Sequence, residues 1–183
     1  MRITKAALNR RWAISTGLAV AVFAALSMLD VSLRALSGLG TADLQGFALG
    51  AQYRAAASAW APAPIALRAG FSLGFDYLFM PLYAASFFYS GIIAREAFAP
   101  RPSRLRRLFT LLAAVPIAAA VLDAFENIVE MSLLLNGASD ALARLAFTIS
   151  NAKMMAVYVG LVLLAGAILA QVQERQKRRQ AES

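Results

Sequence analysis

Four long apolar stretches, at about residues 12–33, 69–93, 108–135 and 145–170, constrain this chain more than any other feature. Each can cross the ~30 Å hydrocarbon core of a bilayer as a helix, which takes about 20 residues. In water, a chain of 183 residues that is 60% hydrophobic and 15% charged could not bury its apolar surface. Soluble domains run at roughly 45–50% apolar and about 25% charged. An ordinary soluble enzyme, a disordered tail and a fibrous repeat are thereby excluded. The expected fold is all-α: a four-helix transmembrane bundle with a short amphipathic interfacial helix between the first and second spans. Residues 1–170 read as a single four-span transmembrane domain and residues 171–183 as a basic cytoplasmic tail.

Orientation follows from the basic residues, because loops rich in Lys and Arg stay in the cytoplasm. The N-terminal segment, the loop after the second span and the C-terminal tail together hold thirteen of them, from Arg2 and Lys5 through Arg101 to Arg179. The other two loops hold four, namely Arg34, Arg54, Arg68 and Arg144. Both termini are therefore expected in the cytoplasm, in a multi-pass protein of the bacterial inner (plasma) membrane. The net charge of +8 flanks the spans rather than forming one stripe with aromatics, so nucleic acid is not an expected partner. A basic start before an apolar run also resembles a signal peptide, with Ala35, Leu36 and Ser37 as a cleavage site. That run, at residues 12–29, exceeds the usual 7–15 apolar residues, and it is read as the first span.

Residues 37–68 form the one long connector. Gly38, Gly40 and Thr41 suggest a turn, with Thr41 as a helix N-cap. Leu44, Phe47, Ala48, Ala51 and Ala55 then recur at helical spacing up to Trp60. This stripe predicts a helix lying in the membrane interface, with Trp60 at headgroup depth, the alternative being a plain extramembrane connector helix.

Chemistry is bounded by two absences. The chain has no cysteine and no histidine, so thiolate, disulfide, haem-histidine and histidine-base chemistry are excluded. No cofactor and no metal site is expected. Proton chemistry would run on Asp, Glu, Lys or Tyr.

Half of the ten acidic residues lie in or at the edge of a span: Asp30, Asp76, Asp123, Glu126 and Glu130. Three acids in the third span cost roughly 7–10 kcal/mol to insert at mid-helix. Its fourteen Leu, Ile, Val and Phe residues return roughly 4–8 kcal/mol. That span needs partners to solvate its acids. Asp123, Glu126, Asn127 and Glu130 follow an i, i+3, i+4, i+7 pattern and share an arc of about 100°. The face points to the bundle interior, and its depth lies in the outer half of the membrane.

On the second span Asp76 and Tyr83 share a face with Phe79, Met80 and Phe87. On the fourth, Asn151 shares one with Thr148, Met155 and Tyr158, while Lys153 points about 200° away from Asn151. Lys153 is expected to pair with an acid, since a lone ammonium in hydrocarbon is costly. A purely structural network would use fewer carboxyls, so the pattern favours an outward-opening intramembrane carboxylate cavity. Phe75, Phe79, Met80, Phe87, Phe125 and Met155 would wall its depth. Such a site suits a lipid-like or cationic amphipathic small molecule. Asp123 and Glu126 are the candidate acid and base, and Asp76, Tyr83, Asn127, Glu130, Asn151 and Lys153 the candidate binding residues. Membrane lipid is an expected partner throughout. Alternative readings are a proton- or cation-handling protein and an accessory or assembly subunit that meets another membrane protein through its acids.

A set of short matches covers most of the chain: Asp43, Leu44 and Gln45; Trp60; Asp76 through Phe79 with Tyr83; Leu122 and Asp123; Glu126 and Asn127; and Lys153. In these the chain resembles uncharacterised bacterial four-span membrane proteins. The resemblance implies the architecture and no activity.

Overall fold

The structure, a computed structural model, describes residues 4–99 and 103–182. Arg2, Arg101 and Ser183, which enter the charge distribution and the tail, lie outside the described residues. Among those described the chain is all-α, with no strand. Helix α1 spans Lys5–Ser37, a 3-10 turn Thr41–Gly46, α2 Gly50–Ala59, α3 Ala63–Phe98, α4 Arg104–Leu135 and α5 Asp140–Glu182. The long helices α1, α3, α4 and α5 are each long and apolar enough to cross a membrane.

Each helix overshoots its apolar stretch because polar flanking residues continue it. Thr4 caps α1, its hydroxyl accepting from the Ala7 N–H, and Ser103 caps α4 through the Arg106 N–H. Pro64 sits in the first turn of α3, where a missing N–H costs nothing. Gly38 ends α1 at φ 78° and Gly137 opens the turn into α5 at φ 92°, conformations that disfavour any side chain. The last helix does not stop near residue 170. It continues through the basic tail, and its first polar turns belong to the bundle: Gln171 donates to Asn9 at 2.9 Å and Glu174 meets Lys5 at 2.6 Å.

Helix α3 is the centre. It packs against α1, α4 and α5, whereas α1 packs chiefly on α3. In the most apolar window of each helix, 50% of α3 is buried in the protein, against 17% of α1 and 22% of α4 and α5. The rest of those three helices is left to lipid. Phe23, Met28, Val31, Leu111, Val121 and Val162 are all more than half exposed, a surface that only hydrocarbon solvates. Close approach on α3 is set by two glycines. A Cβ at Gly160 would overlap the Phe87 ring, and one at Gly91 would overlap Ala113.

One end of the bundle carries the helix termini of α1 and α5 with the start of α4; the other carries the connector between α1 and α3. At the terminal end α1 and α3 are joined by hydroxyls. The Trp12 indole donates to Ser90 at 2.9 Å, and Thr16 and Ser86 are 2.7 Å apart. At the connector end Asp30 accepts from the Ala42 N–H at 2.9 Å and the Thr41 hydroxyl at 3.3 Å, while Arg34 meets Asp43 at 2.8 Å. Asp30 is thus a cap for the 3-10 turn.

The connector departs from the expected stripe. It breaks at residues 47–49, where the Gln52 carboxamide accepts from the Ala48 and Leu49 N–H groups at 2.9 Å each. Asp140 also takes the Gly50 N–H at 2.8 Å. The break resets the helical phase. Ala51 and Ala55 end up exposed, and Leu44, Tyr53, Ala56 and Trp60 are among the buried residues. The face that carries the Tyr53 and Trp60 rings goes inward, because large rings gain more by burial than methyl groups do. Trp60 is 5% exposed, packed inside the protein with its indole donating to Ser37 at 3.1 Å. Thr41 is the first residue of the 3-10 turn, and Gly40 occupies the cap position.

Candidate functional site

Helix α4 brings its polar face inward. Asp123 is 6% exposed, Glu126 1%, Asn127 6% and Glu130 2%. Their i, i+3, i+4, i+7 spacing puts them on one helical face, and contact with α3 and α5 turns that face away from lipid. From α5 comes Lys153, 4% exposed, with Ser150 one turn before it. Its Nζ lies 2.9 Å from Asp123 Oδ1 and 2.5 Å from Glu126 Oε2. From α3, the Tyr83 hydroxyl donates to Asp123 Oδ2 at 3.1 Å. Both Asp123 oxygens are therefore engaged. One turn toward the connector end, Asn127 Nδ2 donates to Asp76 Oδ2 at 3.0 Å.

Four carboxyls, on Asp76, Asp123, Glu126 and Glu130, share this part of the bundle with one ammonium, which pairs with Asp123 and Glu126. Taking an ion from water costs several kcal/mol, and a buried pair recovers this only with good geometry and satisfied neighbours. Here satisfaction is incomplete. Glu130 Oε1 and Glu126 Oε1 are buried and receive no well-directed hydrogen bond. Ser150 lies beside the Glu126 carboxyl, which meets Lys153 as an ion pair rather than through an aligned hydrogen bond.

The connector lies over this end of the bundle. Tyr53 is fully buried and shares a cluster with Leu133, Ala143 and Ala146, and its hydroxyl donates to Leu44 O at 3.2 Å. Burial, with the Glu130 and Glu126 carboxyls nearby, pushes its phenol well above its ordinary value. The cluster is thus roofed, where the sequence reading expects an opening. The roof forms because the connector buries aromatic rings against the ends of α4 and α5.

Asn151 is not in the cluster. It is exposed, and its amide donates to the Phe147 carbonyl at 2.7 Å, one turn back on its own helix. Its helical face is the lipid face of α5, where Met155 is 67% and Tyr158 54% exposed. An amide can satisfy itself on the i−4 carbonyl, while an ammonium cannot, so Lys153 takes the interior. Phe125 is likewise 57% exposed. Of the expected apolar wall, Met80 and Phe87 are buried, Phe75 and Phe79 partly so, and Phe125 and Met155 lie outside it. Ser150 and Tyr53 were not anticipated. Ser150 stands three residues before Lys153, so helical spacing points to it once Lys153 is placed inside.

Apart from the cluster, a concavity of about 640 Å³ runs along the lipid side of the α3–α4 seam between Tyr77, Pro81, Phe88, Ile117, Val121 and Ile128. Buried Met80 borders it, and the Tyr77 hydroxyl donates to the Ala124 carbonyl at 3.3 Å across the seam. Asp76 and Asn127 adjoin Tyr77 and Ile128 in sequence, on the interior side of the same seam.

Fold and site together fit a polytopic α-helical membrane protein, with four helices long and apolar enough to span a bilayer around a buried ion cluster. Compared with protein families, curated proteins and solved structures, the chain matches none of them.

Proposed function

We propose that this is a multi-pass protein of the bacterial inner membrane, with both termini in the cytoplasm, that binds a lipid-like or amphipathic small molecule at the carboxylate cluster. One observation carries the reading: Glu130 is 98% buried and presents a carboxyl oxygen without a donor. Polar residues that serve only as glue satisfy one another, because an unpaired buried acceptor costs about 1–3 kcal/mol. An unsatisfied one marks a place for a ligand. The α3–α4 groove supports a ligand that arrives from the bilayer, since its size falls within the roughly 300–1,000 Å³ of small-molecule pockets. The distribution of Lys and Arg supports the orientation.

The test is native mass spectrometry of the protein released from membranes without exchange of its lipids. A small molecule retained by the wild type and lost from Glu130→Gln supports the reading. Equal retention by both, or retention by neither, overturns it.

A proton-handling reading draws on the hydroxyls of the terminal half. Thr16 with Ser86 and Trp12 with Ser90 extend polarity beyond Tyr83 toward the opposite membrane face. Acidification of vesicles carrying the purified protein, abolished in Asp123→Asn, is the result that would favour it.

A further inference from the structure

We infer that the cluster recognises a cation that carries N–H groups, so that the amphiphile bound here has an ammonium-type head and not a phosphate or carboxylate. The inference rests on the binding reading above and adds the sign and donor character of the ligand.

The donors of the cluster are engaged. Lys153 is held by Asp123 and Glu126, the Tyr83 hydroxyl is given to Asp123, and the Asn127 amide to Asp76. What is left is an acceptor: Glu130 Oε1 is buried and without a donor, whereas the Glu126 carboxyl already has Lys153 and the Ser150 hydroxyl beside it. A ligand that fits must bring a hydrogen to Glu130. It must also bring positive charge, because Lys153 lies between Asp123 and Glu126 and leaves Asp76 and Glu130 without a cation of their own. An anionic head would sit beside four carboxyls and one ammonium already held by two of them, with the Tyr83 and Asn127 donors already given to Asp123 and Asp76. A bare hard metal ion is a poorer fit. It requires several converging oxygens, and Asp123 has both of its own committed. An ammonium needs only hydrogen-bond acceptors, and Glu130 Oε1 is one.

The experiment uses the full chain in phosphatidylcholine nanodiscs, whose choline heads carry charge but no N–H. Three spin-labelled eighteen-carbon probes are compared by electron paramagnetic resonance: a primary amine, an alcohol and a carboxylic acid. The expected result is an immobilised amine with at least tenfold tighter apparent binding than either other probe. Glu130→Gln brings the amine to the level of the alcohol, and Asp76→Asn weakens it in the same direction. Water-soluble butylamine displacing the amine probe identifies the head as the recognised part; no displacement would assign recognition to the chain and overturn the inference. Equal immobilisation of all three probes, or an amine insensitive to both variants, overturns the ammonium assignment and leaves the lipid-binding reading intact. Immobilisation of none overturns both.

Discussion

Lys153 on α5 reaches across the bundle to Asp123 on α4, with 2.9 Å between Nζ and Oδ1, and both side chains are more than 90% buried. Thirty residues separate them in sequence. The pair, with Glu126 on the same ammonium, ties the two helices together where each would be least stable in lipid alone. It also sets the reach of every other group in the cluster.

Removing that ammonium should cost more than its own contacts. In Lys153→Met, Asp123 and Glu126 are left buried without a cation, and breaking such a pair typically costs about 3–5 kcal/mol. Thermal unfolding in detergent should show the loss. Adding Asp123→Asn and Glu126→Gln to the same protein should recover much of it. A triple variant no more stable than the single one would contradict the account.

The roof should be separable from the bundle. Asp30→Ala removes the acceptor for the Ala42 N–H and the Thr41 hydroxyl, and Asp140→Ala removes that for the Gly50 N–H. Asp140→Ala leaves the part-buried Gly50 N–H unmet, at about 1–3 kcal/mol, and Asp30→Ala costs less, because the Ala42 N–H is exposed and the Thr41 hydroxyl keeps Ser72. Hydrogen exchange should quicken in residues 41–59 while α3 and α4 stay protected. Uniform exchange throughout the chain would show that the connector and the bundle unfold as one.

Alkali should loosen the same roof. Burial raises the Tyr53 phenol above its ordinary value of 10.0, so the folded protein holds that proton more tightly than the unfolded chain. Above pH 10 the unfolded state binds fewer protons than the folded one, and stability falls as pH rises. Below that pH the contribution is fully present. Tyr53→Phe should remove this pH dependence, as read by exchange in residues 41–59 from pH 9 to 11.

Helix spacing should tolerate little change at Gly160. A Cβ there overlaps the Phe87 ring, so Gly160→Leu should destabilise the bundle by about 1–3 kcal/mol through forced displacement of α5 from α3. Phe87→Ala in the same protein should restore part of the loss. Melting temperatures of the two variants and their combination make the check.

The proposed topology has a direct assay. Reporter fusions at Ser183 should be active only in the cytoplasm and fusions near Asp43 only outside it, following the thirteen-to-four division of basic residues. An externally active fusion at Ser183 would invert the assignment of the connector end.

The sequence alone was enough for what depends on neighbours along the chain. Spans were legible because crossing a bilayer is a property of about twenty consecutive residues. The shared face of Asp123, Glu126, Asn127 and Glu130 was legible because helical periodicity is local. Lys153 was expected to meet an acid, because a lone ammonium in hydrocarbon is costly, and it meets Asp123 and Glu126. That Asn151, on the opposite side of the same helix, is then turned away from the cluster depended on where α4 places its carboxyls and how closely Gly160 lets α5 approach Phe87. The connector was misjudged for the same reason. Its alanine stripe follows a single uninterrupted phase, but Gln52 and Asp140 break the helix, and Asp140 belongs to α5. Sequence thus determined the class, the spans and the polar face, since these rest on interactions within one helix or between a helix and its solvent. The tertiary structure decided which acids meet Lys153, which oxygens stay unpaired and what roofs them. Those outcomes depend on distances between helices that no single segment encodes.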